Sequence, residues 1–202
     1  MSDPHATYEA LFNACVDDFG HDPPWRAGEW LVACSGRIIG AVRGADALGI
    51  EAMNPAAAST IDALINTPDS GDAVDVAALR SWLRGVARLV KCTRCDGTGT
   101  EKAQCNRCDH SHEHQCGGCD GEGERFLGGV EKPACVYGFT TSAYRLLLLV
   151  NALAESGIAT ARALTIAAPD GLNLLVLSAD GVRVGITAST LTASASWPEV
   201  TP

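Results

Sequence analysis

Six of the nine cysteines fall within 28 residues, as three Cys-x-x-Cys pairs: Cys92/Cys95, Cys105/Cys108 and Cys116/Cys119. Two thiols three residues apart can hold one cation from a single turn of chain. Zinc closes its tetrahedron with four thiolate or imidazole ligands, so two such turns complete one site. The first and third pairs continue as Cys-x-x-Cys-x-Gly-x-Gly, with glycines at Gly97, Gly99, Gly121 and Gly123. Glycine there lets the backbone take φ > 0 and turn its amides toward sulfur. The middle pair carries His110 and His112 in the glycine positions, and His114 follows. A redox-active dithiol cluster or an iron–sulfur cluster is the other chemistry open to six thiols; the flanking glycine repeats favour zinc.

These repeats resemble the cysteine-rich zinc domain of DnaJ-type co-chaperones, which uses four of them to hold two zincs. The resemblance covers residues 92–123 only, and no His-Pro-Asp triplet of a J domain occurs in the chain. The outer repeats, paired as in that domain, place one zinc on Cys92, Cys95, Cys116 and Cys119. Histidines then replace the missing fourth pair, so that a second zinc takes Cys105, Cys108, His112 and His114, with His110 in reserve. Four thiolates leave no vacancy for water or substrate, and they lower the Lewis acidity of the metal, so the expected zinc is structural. The zinc deaminase signature needs His, one residue, then Glu; here Glu113 directly follows His112, and Cys116 comes too soon after it.

Other chemical signals are weaker. Arg80, Arg84 and Arg88 recur every four residues and lead to Lys91 and Arg94, a stripe able to meet phosphates or simply to face solvent. No nucleophile–base pairing, phosphate loop or dinucleotide fingerprint stands out, and the expected protein is not an enzyme. Cys15, Cys34 and Cys135 sit in apolar patterns and read as core residues.

The elements that must carry the module follow from periodicity. Asp3-Pro4 caps a helix over 4–19 with Tyr8, Leu11, Phe12, Cys15 and Phe19 on one face. A hairpin joins Trp30–Cys34 to Arg37–Val42, and a short helix runs from Asn54-Pro55 to Asn66. Asp75 caps a helix whose stripe is Val76, Leu79, Leu83, Val86 and Val90. Thr140-Thr141-Ser142 caps a helix over 143–156. Runs at Ala163–Ala168, Leu172–Ser178 and Val182–Thr187, joined at Pro169-Asp170-Gly171 and Ala179-Asp180-Gly181, form an antiparallel meander. The expected class is α+β: helices on a small antiparallel sheet (hairpin plus three-stranded meander) with an inserted zinc-knuckle module. The body takes residues 1–90 and 132–190, the module 91–131, and the tail 191–202 is loosely ordered. Helix-then-meander echoes helix-then-hairpin, an order that resembles the βαβββ units of DNA sliding clamps.

The net charge of −9 is uneven: residues 1–75 hold 12 acidic against 3 basic residues, the whole imbalance. Such a surface repels phosphates and suits solubility or a basic partner. No export signal opens the chain, the cysteine count is odd, and Ala143–Ala154 is far short of the ~20 apolar residues of a span. These features predict a cytoplasmic protein with no membrane partner, of bacterial or phage type. The expected function is a non-enzymatic, zinc-rigidified adaptor for a protein partner. Nucleic-acid binding through the module and the Arg80/Arg84/Arg88 face is the alternative, and an acidic inhibitor or nucleic-acid mimic is a third reading.

Overall fold

A computed structural model describes residues 3–16, 25–35, 37–45, 58–87, 89–104, 111–119, 121, 123–126, 132–169, 171–190, 193 and 195–197. The chain divides into two compact units, Met1–Val86 with Lys132–Pro202, and Ala87–Glu131. The class is α+β.

In the first unit, α1 (Pro4–Val16) begins where expected: the Asp3 carboxylate accepts the His5 amide at 3.0 Å, which satisfies a first-turn donor. Its Tyr8, Leu11 and Cys15 are buried. Strands β1 (Trp25–Ala27), β2 (Trp30–Cys34) and β3 (Ile38–Arg43) follow, then α2 (Ala58–Ile65), β4 (Asp72–Asp75) and α3 (Val76–Ala87). Asp75 caps α3 by accepting the Ala78 amide at 2.8 Å. The later part of the unit holds β9 (Pro133–Val136), β10 (Phe139–Ser142), α4 (Ala143–Glu155), β11 (Thr160–Ala167), β12 (Asn173–Ala179), β13 (Val182–Thr187) and β14 (Ala195–Ser196). Ser142 caps α4, and its expected apolar face, Leu146, Leu149, Val150 and Leu153, is buried.

The hairpin and the meander share one antiparallel sheet, as expected, and that sheet is larger than expected, with seven strands. Its order is β1-β2-β3-β13-β12-β11-β4, antiparallel throughout, with β3 and β13 zipped from Val42↔Val182 to Ile38↔Ile186. Helices α1 and α4 pack on each other and on one face of this sheet. Residues Ile61 and Leu64 of α2 bury against Trp30, Val32, Ile39, Leu174 and Val176 on the other face. Two glycines let the helices come close. A Cβ on Gly40 would lie 3.0 Å from Leu11, and one on Gly185 would lie 3.0 Å from Leu64.

Several elements depart from the sequence reading. Helix α3 ends at Ala87, so Val90 is not on its stripe but in a strand, β5 (Leu89–Lys91). That backbone bonds instead to β8 (Glu124–Phe126) with register Val90↔Arg125. The tail also holds structure: β14 pairs in parallel with β9, and Trp197 meets Trp82 edge-on at 5.3 Å. Tyr137 and Gly138, with φ of 49° and 76°, turn β9 into β10 as a hairpin. No helix among the described residues is long and apolar enough to cross a membrane.

Candidate metal centre

The second unit is built around two turns of chain held by two short ladders. Strands β5 and β8 pair at its base, from Leu89↔Phe126 to Lys91↔Glu124. Between the knuckles, β6 (Thr100–Gln104) and β7 (Ser111–Gln115) form a hairpin with register Thr100↔Gln115 to Gln104↔Ser111. Each knuckle is thus flanked by a strand on both sides, and the ladders bring Cys92 beside Cys116 although they lie 24 positions apart.

The two knuckles repeat each other bond for bond. The Cys92 amide donates to the Gly123 carbonyl at 2.8 Å, and the Cys116 amide to the Gly99 carbonyl at 2.9 Å. The Gly97 amide donates to the Cys92 carbonyl at 3.1 Å, and Gly121 to Cys116 at 3.3 Å. The Gly99 amide points at Cys95 Sγ (3.3 Å) and the Gly123 amide at Cys119 Sγ (3.2 Å). Exchanging 92 with 116, 95 with 119, 97 with 121 and 99 with 123 maps each bond on its counterpart, so the site has an approximate two-fold axis.

The glycines are required by this geometry. Gly97, Gly99, Gly121 and Gly123 have φ of 80°, 76°, 83° and 74°. A Cβ on Gly99 would run into the Gly121 carbonyl oxygen, and one on Gly123 into the Gly97 carbonyl oxygen. Only glycine satisfies both demands at these two crossings.

The four sulfurs of Cys92, Cys95, Cys116 and Cys119 lie within 4.8 Å of one another, and all four residues are buried. Cys92 and Cys116 Sγ are 3.9 Å apart, and Cys95 and Cys119 Sγ 3.6 Å. A zinc tetrathiolate with bonds of about 2.3 Å has tetrahedral edges of about 3.8 Å. A disulfide would need about 2.05 Å, and none of the four is cross-linked. The donor set, spacing and burial therefore fit a structural zinc ion.

The electrostatics of the metal-free cluster are uneven. The amide of Cys95, foremost, holds the Cys92 thiol below its ordinary value against the effect of burial. Burial works to raise Cys95, but the Gly99 amide and the neighbouring thiols outweigh it and bring that thiol down to about 6. Burial pushes Cys116 and Cys119 up, and for Cys116 the Glu101 carboxylate adds to it. Glu101 in turn is held low by the Cys116 thiol, and then by Arg94. Arg94 Nε lies 2.7 Å from Glu101 Oε1, and a Cβ on Gly118 would meet the Arg94 stem at 3.0 Å, so this cation stands beside the sulfurs. A negatively charged tetrathiolate gains from such a cation and from the three amides of Gly99, Gly118 and Gly123.

The remaining expected ligands are not brought together among the described residues. Cys105, Cys108 and His110 lie outside them. His114 is exposed on β7 opposite Glu101, and His112 is placed by its backbone opposite Ala103. Cys15 and Cys34 are buried in the first unit, and Cys135 is half-buried in β9, as core residues. In the basic stripe, Arg80 Nε donates to Asn151 Oδ1 at 2.7 Å and Arg84 is half-buried. Lys91 Nζ lies 2.6 Å from Asp96 Oδ1, and Arg88 is outside the described residues. Sequence reasoning missed Glu101 and Arg94 as neighbours of the metal site. Arg94 sits between the first two ligands, which was a signal; Glu101 reaches it only through the hairpin register.

Comparison of the chain with family models, with curated proteins and with solved structures found no match.

Proposed function

We propose that this is a non-enzymatic zinc protein whose metal holds a small module rigid as an interaction surface for a protein partner. The observation that carries the reading is the closed set of four buried thiols at tetrahedral spacing. A catalytic zinc keeps a position for water or substrate, whereas this donor set fills all four. The likeness of the repeats to the DnaJ-type zinc domain supports the same role. A second zinc on Cys105, Cys108, His112 and His114, with His110 in reserve, belongs to the proposal. Nucleic-acid binding is less favoured, because Arg80, Lys91 and Arg94 are each engaged by a side chain of the protein itself, and phosphate contacts need cations available to the backbone.

Metal analysis of the purified chain tests the site: two zincs per chain support both sites, one leaves the four-cysteine site alone, and none overturns the reading. Cobalt substitution should give the intense thiolate-to-metal charge transfer of a sulfur-only tetrahedral site, lost in Cys116→Ser. The adaptor role predicts a partner cross-linked by the native protein and lost on chelation. Retention of that partner after chelation would reject the role of the module.

A further inference from the structure

We propose that the cavity at one end of the seven-stranded sheet binds a small ligand through an oxyanion, a phosphate or carboxylate group, received by Ser178 Oγ and the Arg162 guanidinium. The cavity has a volume of about 700 Å³, within the range of small-molecule sites, is partly open to solvent, and lies entirely in the first unit. The end of β3, the start of β11 and the β12–β13 turn form its walls.

Two hydrogen-bond donors, Arg162 and Ser178, line it, and a third, Arg183, stands next to Ser178 just behind the lining. The register places Arg162 of β11 opposite Ser178 of β12, and Ser178 opposite Arg183 of β13. Directly opposed residues share a face of the sheet with side chains about 5 Å apart. Ser178 lines the cavity and is 1% exposed, yet its hydroxyl has no hydrogen-bond partner among the described residues. Arg183 Nε is buried and likewise has none. Native structures leave few buried polar atoms in this condition. Here two are neighbours, and both can donate; a guanidinium nitrogen can do nothing else. What the pair lacks is an acceptor oxygen.

Charge points the same way. The Arg183 guanidinium is fixed in place: its Nη1 donates to the Ala179 and Val182 carbonyls, each at 3.0 Å, and its Nη2 lies 2.8 Å from Asp69 Oδ1. Its charge remains beside Ser178, shared with a carboxylate that is itself largely exposed. Arg162 is exposed, with one nitrogen on the Gly71 carbonyl at 3.3 Å. An oxygen seated on Ser178 would lie between two guanidinium groups, the arrangement that favours an anion over a neutral acceptor. Asp69 and Asp180 also line the cavity, so a compact anion suits it better than an extended polyanion.

The test uses the full-length, zinc-loaded protein, titrated with inorganic phosphate and separately with acetate at constant ionic strength, followed by amide shifts. Saturable shifts confined to residues near 160–162 and 178–182 are expected with one of the two anions. Saturation by phosphate identifies a phosphate ester as the ligand class, and saturation by acetate a carboxylate. The dissociation constant should rise about tenfold or more in Ser178→Ala and in Arg162→Gln, while Lys102→Gln leaves it unchanged. Circular dichroism reports whether each variant folds, and Ser178→Ala should be no less stable than the parent, since it removes an unpartnered hydroxyl. Saturation by neither anion, or equal affinity in both variants, overturns the proposal. Zinc content is independent of every outcome, so failure here leaves the metal-site reading intact.

Discussion

The two units of this chain are stabilised by different physics. The first buries aliphatic and aromatic side chains on both faces of a seven-stranded sheet: Leu11, Leu146, Leu149 and Leu153 belong to its core, and Trp30, Ile61, Leu64 and Leu174 to the cluster under α2. In the 45-residue second unit, the buried residues among those described are Ala87, the four cysteines, Gly99 and Gly123. Sulfur and glycine offer little apolar area, and a unit of this size rarely folds on such a core without a metal or cross-link. A cation on the four thiols would do for the second unit what the aliphatic core does for the first. One chain thus divides two tasks: the sheet folds through buried area, and the module offers four thiols through which a metal would order it.

The strongest way to break this contrast is to remove the metal. Chelation, or Cys116→Ser, should cost most or all of the roughly 10–16 kcal/mol that zinc supplies to small structural sites. Amide hydrogen exchange should then show protection lost across β5–β8 and β6–β7, while β3, β13 and β12 keep theirs. Loss of both together would erase the distinction. The reverse experiment is Leu64→Ala, which opens a cavity between α2 and the sheet. It should cost about 2–5 kcal/mol by chemical denaturation, with zinc content unchanged. Smaller still is Gly99→Ala, which needs φ near +76° and drives a methyl group at the Gly121 carbonyl. Strain of about 1–3 kcal/mol should appear as weaker zinc affinity in a competition assay, with the melting of the first unit unmoved.

The smallest effect belongs to Tyr8 of α1, whose hydroxyl is buried without a partner among the described residues. Burial, with Cys15 adding, raises its pKa to about 12. The unfolded phenol ionises near its model value of 10.0, so this group favours the folded state least at high pH. Stability should be unaffected below pH about 10 and fall as the pH climbs toward about 12. Tyr8→Phe should flatten that segment of the pH profile and change stability at neutral pH by no more than about 1 kcal/mol. An unchanged alkaline slope would show that another group is responsible.

Local signals were legible wherever one residue type answers one local need. Asp3, Asp75 and Ser142 all cap the helices they were expected to cap, because a short polar side chain before an apolar stripe satisfies first-turn amides. Strand β13 spans Val182–Thr187, as its alternation indicated. The short strands were missed for the opposite reason. Strand β4 reads Asp-Ala-Val-Asp and buries only Val74, and β7 reads Ser-His-Glu-His-Gln, so neither has an apolar period to detect. Val90 was placed on a helix because its spacing continues the stripe of α3; the partner that claims its backbone, Arg125, is 35 positions away.

By itself, the order of residues determined the main helices and the longer strands, the helix caps, and the two Cys-x-x-Cys-x-Gly-x-Gly knuckles, since each depends on neighbours within a few positions. The tertiary structure alone decided that β3 meets β13, that Gly40 and Gly185 admit a helix on each face, and that Glu101 stands beside the sulfurs. It also placed Ser178 between two arginines. Most of those arrangements join residues far apart in the chain, and long-range pairing is chosen by the free energy of the whole sheet rather than by any local preference.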